Sequence, residues 1–239
     1  MVSHEGIRPD PTNISKIVDW PTPTTSKQVK QFIATGSYYR RFVKGFATIA
    51  KSLTDLTKKD CKFEWTDRCQ EAFDRLKGSL TGHDVMGYPL NEGGTFYLDT
   101  DASGVGIGAV LSQVQDNRER VIAYASRSLN KTERNYCITE QELLAIVFFM
   151  QYFRQYLLGR RFVVRTDHQA LTWLFNLKEP SSKIARWIEI LAPYDFVIEY
   201  RKGNGQGNAD GLSRCEDPRD CDCDKVDMSE AFKCGPCKK

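Results

Sequence analysis

The sequence predicts an α/β protein: a mixed five-stranded sheet with flanking helices, preceded by a small helical module. Three observations predict it. Between residues 95 and 200 the apolar pattern runs three strands, a long helix, a strand, short helices and a fifth strand. Three neighbouring strands followed by crossover units argue a mixed sheet with helices on its faces. Before residue 83 the apolar spacing is helical, and beyond Arg214 it has no period at all.

The elements follow in order. Residues 6–23 carry Pro9, Pro11, Pro21 and Pro23, which forbid a continuous helix, so this stretch is predicted extended and turn-rich. Thr25 opens a capping box with Gln28. Val29, Phe32, Ile33, Tyr39, Phe42, Val43 and Phe46 then mark one helical face, with Gly36 as a candidate break. A second helix is predicted after Thr66, burying Ala72, Phe73, Leu76 and Leu80. Strands are expected at 96–98, 105–114 and 120–125. A helix over 139–158 is apolar around much of its circumference and should be covered on several sides. A strand at 161–166, short helices at 170–175 and 182–191, a strand at 196–200 and a short helix at 208–213 complete the order. The domain organisation read from this is a helical module at 1–82, an α/β domain at 83–214, and a charged, Cys-rich tail at 215–239 read as a disordered linker.

Composition narrows the function classes. Of 239 residues, 41% are hydrophobic, enough for a packed core. The net charge of +3, from 34 basic and 31 acidic residues, is too mild to argue nucleic-acid binding by itself. A phosphate footprint must be local, at Tyr38-Tyr39-Arg40-Arg41 or Arg201-Lys202; for Arg40-Arg41 the alternative is a solvated helix face. No secretory signal opens the chain, and the longest apolar run, Leu143 to Met150, is too short for a bilayer. An intracellular location, no membrane partner and reduced thiols are expected. Five of the eight cysteines crowd the tail: Cys215, Cys221, Cys223, Cys234 and Cys237. Cys234 and Cys237 have metal-ligand spacing, but Cys221-Asp-Cys223 is too tight for a partner pair and the tail has no histidine, which favours a linker over a zinc site.

Four acids sit at element ends. Asp101 closes the first strand, Glu142 lies in the first turn of the long helix, Asp167 closes the fourth strand, and Asp210 lies at the last short helix. Strand ends on one edge of a sheet converge there. Four carboxylates in a small space repel and raise one another's pKa, and hard divalent cations relieve that repulsion. Oxygen-only ligands suit magnesium, and two ions can clamp the attacking and leaving oxygens of a phosphoryl displacement. Each acid singly has a bland role. Glu142 is the third residue after Thr139 in a capping box, Asp167 caps a helix, Asp101 is a turn acid, and Asp210 favours a helix N-terminus. The weight lies in their joint order.

That order, with the stretches FYLDTDASGVGIGAVLSQ from Phe96, IAYASRSL from Ile122, YCITEQELLAIV from Tyr136, FVVRTDHQAL from Phe162 and GNGQGNADGLSR from Gly203, resembles the polymerase polyprotein of gypsy-type LTR retrotransposons. The resemblance covers the end of the reverse transcriptase through its ribonuclease H. Upstream, GIRPDPTNISKIVDWPTP and YYRRFVKGFATIAKSL look like the segment that enters and forms that family's thumb. The resemblance implies a ribonuclease H-like fold after a thumb-like module, and hydrolysis of the RNA strand of RNA–DNA hybrids, leaving a 5′-phosphate and a 3′-hydroxyl. The cofactors implied are two Mg2+ ions, with Mn2+ as a substitute. Asp101 is to bridge both ions, Asp210 to share the one holding the attacking water, and Glu142 and Asp167 to hold the other. Asp99 and Glu140 fall on variable positions and are not expected to act.

Departures qualify the expectation. The loop Arg201-Lys202-Gly203-Asn204-Gly205-Gln206 lacks the histidine many ribonucleases H carry there, which implies slower proton handling rather than inactivity. Gly211 stands where the family has alanine, and a helical glycine costs up to about 1 kcal/mol, loosening Asp210. The sequence has no Tyr-x-Asp-Asp, so DNA synthesis by this chain alone is not expected. The partner expected besides the hybrid is a polymerase palm, or another chain covering an apolar patch on the helical module. The alternative function is a catalytically inert transposon remnant or a nucleic-acid-binding module. Gly104-x-Gly106-x-x-Ala109 fits a dinucleotide fingerprint, but the residues after it read as strand, so no helix N-terminus cradles a phosphate.

Overall fold

The structure, a computed structural model, describes residues 2–3, 6–7, 11–59, 61–81, 86–91, 94–169, 171–172 and 180–201. The expected helix at 208–213, Asp210 within it, most of 170–175 and the Cys-rich tail lie outside the described residues.

Two short strands, β1 (Val2–Ser3) and β2 (Gly6–Ile7), pair antiparallel and lead into helix α1 (Pro11–Val18). This helix overturns the expectation of an extended segment. Pro11 is its first residue, where a missing N–H loses no hydrogen bond and the fixed φ suits the helix; the prolines flank the helix rather than interrupt it. Helix α2 (Ser26–Tyr38) is capped by Thr25, whose hydroxyl accepts from the Gln28 amide at 3.3 Å. The reciprocal half of the box is displaced by a residue: Gln28 Oε1 accepts from the backbone N–H of Thr24 at 2.7 Å and its hydroxyl at 3.0 Å. Gly36 does not break α2. It is buried within the helix, and a Cβ there would lie 3.4 Å from the Phe46 ring, in ordinary van der Waals contact. A 3-10 turn (Arg40–Phe42), α3 (Phe46–Ile49), α4 (Lys51–Asp55) and α5 (Asp67–Thr81) complete the helical segment. Its core is built on Ile17, Val29, Phe32, Leu53, Phe73 and Leu76, all nearly inaccessible, with the Phe32 and Phe73 rings 4.6 Å apart.

The sheet follows. It is formed by β3 (Phe96–Ala102), β4 (Gly106–Gln115), β5 (Arg118–Ser128), β6 (Arg161–Thr166) and β7 (Asp195–Tyr200), in the order β5-β4-β3-β6-β7. The first three strands are an antiparallel meander, whereas β6 and β7 run parallel to β3. Asp116 and Asn117, both at positive φ, make the tight β4–β5 turn, a conformation these residue types tolerate. Helix α6 (Ile138–Tyr152) packs on the face carrying Phe96, Leu98 and Ala102, and buries Leu143, Ala145, Ile146, Phe149 and Met150. It ends sooner than its apolar pattern suggests. The chain bends at Phe153 into α7 (Arg154–Leu157) and turns into β6 through Gly159, at φ 75°. Helix α8 (Ser182–Leu191), capped by the Ser181 hydroxyl, packs against α6 through its apolar stripe.

The helical segment rests on β5, the edge strand of the sheet. Arg40 donates to the Ser126 carbonyl at 2.6 Å and lies over the Phe46 ring, while the Ala47 amide donates to the Ser126 hydroxyl at 3.0 Å. Arg40 thus joins helices to sheet, a role neither expectation for it included. Covering an edge also removes a template for unwanted strand pairing. The large hydrophobics exposed on this segment, among the described residues, are Val18 and Tyr38.

Candidate metal centre

Strand register explains how distant acids meet. In the parallel pair, Asp99 of β3 stands beside Arg165 of β6. Two residues further on, that register brings Asp101 and Asp167 to the same end of the sheet. Glu142 arrives from the other side. It lies one turn into α6, and its Oε1 accepts from the Ala102 amide at 3.3 Å, beside the strand end that carries Asp101. Carboxylate oxygens of Asp101, Glu142 and Asp167 lie within 4.8 Å of one another; Asp101 and Glu142 are buried and Asp167 is partly so. The structure therefore gathers three of the four acids singled out in the sequence, and the fourth, Asp210, lies outside the described residues.

The bland role of Glu142 does not hold. Helix α6 starts at Ile138 with Cys137 as its N-cap, so Glu140, not Glu142, is the third helical residue. Thr139, cast as the cap, instead shares a hydrogen bond between its hydroxyl and His168 Nε2, 2.8 Å apart. Sequence reasoning passed over His168; the available signal was its place directly after Asp167, with Thr139 one turn before Glu142.

The neighbouring acids are committed elsewhere. Glu140 pairs with Lys183 of α8 at 2.8 Å. Asp99 lies 3.7 Å from Arg165 and 3.9 Å from Arg201. Arg165 stacks on the Tyr97 ring at 3.5 Å and donates to both oxygens of Glu119 at 3.0 Å. Burial pushes the Asp99 carboxyl up to about 6, against the pull of Arg165 and Arg201. Glu119 is also partly desolvated, but hydrogen bonds from Ser112 and Arg165 outweigh that and hold it below its ordinary value.

Three close carboxylates, two of them buried, form an all-oxygen donor set. That chemistry fits a hard divalent cation such as Mg2+, which takes carboxylate ligands and keeps waters. Charges so close and so little solvated repel one another, and a bound cation relieves that repulsion.

A mixed five-stranded sheet with an acidic pocket at the carboxyl ends of its central strands defines an α/β fold of the ribonuclease H-like class. The foamy viral protease-reverse transcriptase dRH in complex with double-stranded DNA superposes with a TM-score of 0.71 at 20% identity, covering 84% of this chain and 36% of that one. The foamy viral protease-reverse transcriptase in complex with an RNA/DNA hybrid gives 0.69 at 19% identity, covering 97% and 31%. At the level of sequence, residues 91–194 match the family described as the RNase H-like domain found in reverse transcriptase. The Retrovirus-related Pol polyproteins from transposons 412 and 297 of Drosophila melanogaster are each 43% identical, over 88% and 90% of this chain. The Tf2-3 polyprotein of Schizosaccharomyces pombe is 34% identical over 90%. Over about 90% of its length the chain is thus similar to the Pol polyproteins of retrotransposons, and residues 91–194 match the RNase H-like domain. It spans 17%, 20% and 16% of the length of those three relatives. No helix among the described residues is long and apolar enough to cross a membrane.

Proposed function

We propose that this chain is a ribonuclease H that hydrolyses the RNA strand of RNA–DNA hybrids, with Asp101, Glu142, Asp167 and Asp210 holding two Mg2+ ions, and Mn2+ able to replace them. The observation that carries the reading is the convergence of Asp101, Glu142 and Asp167 within 4.8 Å at one sheet edge. A gypsy-type origin is part of it, as is division into a thumb-like segment at 1–82, a nuclease domain at 83–214 and a tail at 215–239.

Bound divalent ions would polarise the scissile phosphate and lower the pKa of the attacking water. The chain's own residues do the rest. Asp101, Glu142 and Asp167 supply negative oxygens on a rigid strand, helix and strand end, so little reorganisation is needed as charge develops. Burial of Asp101 and Glu142 keeps water from screening them. Discrimination of RNA from DNA falls to contacts with 2′-hydroxyls in the shallow minor groove of the hybrid.

The test is a strand-labelled RNA–DNA hybrid incubated with the purified chain in magnesium, in chelator, and with Asp101→Asn. Cleavage of the RNA strand is expected only for the wild type in magnesium. Binding without cleavage in that arm would favour the inert or binding-module reading instead.

A further inference from the structure

We propose that the buried hydrogen bond between Thr139 and His168 is a positioning device: it sets the separation of Glu142 and Asp167, and through it the affinity of the acidic pocket for cations. The inference rests on the reading of that pocket as a metal centre.

Thr139 and His168 are 3% and 7% exposed, and their polar atoms lie 2.8 Å apart. Thr139 precedes Glu142 by one helical turn, so both lie on one face of α6. His168 directly follows Asp167. The bond therefore closes a short loop of structure: Glu142, one turn of helix, Thr139, His168, Asp167. Both ends of that loop are anchored. The His168 amide donates to the Thr166 hydroxyl at 3.1 Å, and the Thr166 carbonyl accepts from the Arg201 amide at 2.9 Å, so the histidine backbone is fixed to the end of β6. The ring is fixed to the first turn of α6.

The two carboxylates this loop joins come from separate elements and repel each other. Repulsion would push the α6 turn and the segment after β6 apart, and the cross-link between them resists it. Either partner can donate, since a hydroxyl and an imidazole nitrogen each serve as donor or acceptor, so the link survives in either ring tautomer. Groups that orient metal ligands in this way change metal affinity when removed. A hydrogen bond that only stabilised the core would instead lower the melting temperature and leave cation affinity alone.

The experiment uses the full chain as wild type, Thr139→Val, Thr139→Ser, His168→Phe and the Val/Phe double variant. Mn2+ binding is measured by calorimetry, and the Mg2+ dependence of RNA-strand cleavage is measured together with KM for the hybrid. Thr139→Val and His168→Phe are expected to weaken Mn2+ binding about tenfold and to raise the Mg2+ needed for half-maximal cleavage by the same factor. KM for the hybrid should stay unchanged. Thr139→Ser, which restores the hydroxyl, should restore wild-type binding, and the double variant should be no worse than the weaker single one. If one single variant fails to fold, the other and the Ser rescue decide the matter. Wild-type-like Mn2+ binding by the folded Val or Phe variant overturns the positioning role and leaves the metal centre standing. A wild-type chain that takes up no Mn2+ overturns both.

Discussion

At the scale of single residues, the contrast between Asp99 and Asp101 is the most informative. They are two apart on one strand and share a face, yet Asp99 is held among Arg165, Arg201 and Glu119 while Asp101 meets Glu142 and Asp167. Sequence reading separates the two only by family resemblance. The physical reason is the register with β6, which puts Arg165 beside Asp99 and carries Asp101 on toward Asp167. The Asp99 carboxyl lies near 6 in the fold against an ordinary 3.8, with burial as the main cause. A carboxyl raised by folding is better protonated in the native state, so it costs the fold increasing stability as pH climbs from the ordinary value through 6, and the cost is full above that. Glu133, held down by Arg127, and Glu119 act in the opposite sense: their stabilisation is present above the ordinary carboxylate value and is lost on acidification. Asp99→Asn should therefore gain on the wild type in melting temperature as pH rises from about 4 to about 7. A constant difference across that range would contradict the assigned cause.

At the scale of elements, most of the architecture was legible and the exceptions have identifiable causes. The strand at Arg161–Thr166 and the helix at Ser182–Leu191 stand where their patterns place them. A short apolar, β-branched run in the one and a Ser cap before an apolar stripe in the other leave little freedom. The helix at Pro11–Val18 was hidden because proline counts against helix everywhere except the first turn, and Pro11 is in the first turn. The early end of α6 was hidden because its apolar pattern continues through Phe153 into α7. Gly36 was misread as a break because a sequence does not show the Phe46 ring that packs on it. That reading has a consequence for stability. A methyl at Gly36 meets the ring at ordinary contact distance, 3.4 Å, so Gly36→Ala should stabilise by about 0.5–1 kcal/mol through helix propensity. Gly36→Val should destabilise by about 1–3 kcal/mol by crowding the ring. Denaturant melts of both variants measure this; a stabilised Val variant would show that the approach of Phe46 is not close.

At the scale of the whole molecule, the chain is a helical core and a sheet core joined at Ser126, with the acidic pocket at the carboxyl end of the sheet. The joint order of the acids showed where to look, because element ends on one sheet edge must converge. Sequence did not show that Glu142 turns away from helix capping, nor that Thr139 and His168 tie two of the acid-bearing elements together. Both are tertiary facts, set by packing of α6 on β3. The most direct test of the central claim is RNA-strand cleavage in magnesium across Asp101→Asn, Glu142→Gln, Asp167→Asn, Asp210→Asn and Asp99→Asn, each checked for folding. The expected result is a loss of at least about a hundredfold for the first four, as when charge stabilisation is removed from an active site, with most activity kept by Asp99→Asn. Folded Asp101→Asn or Glu142→Gln cleaving at the wild-type rate would contradict it.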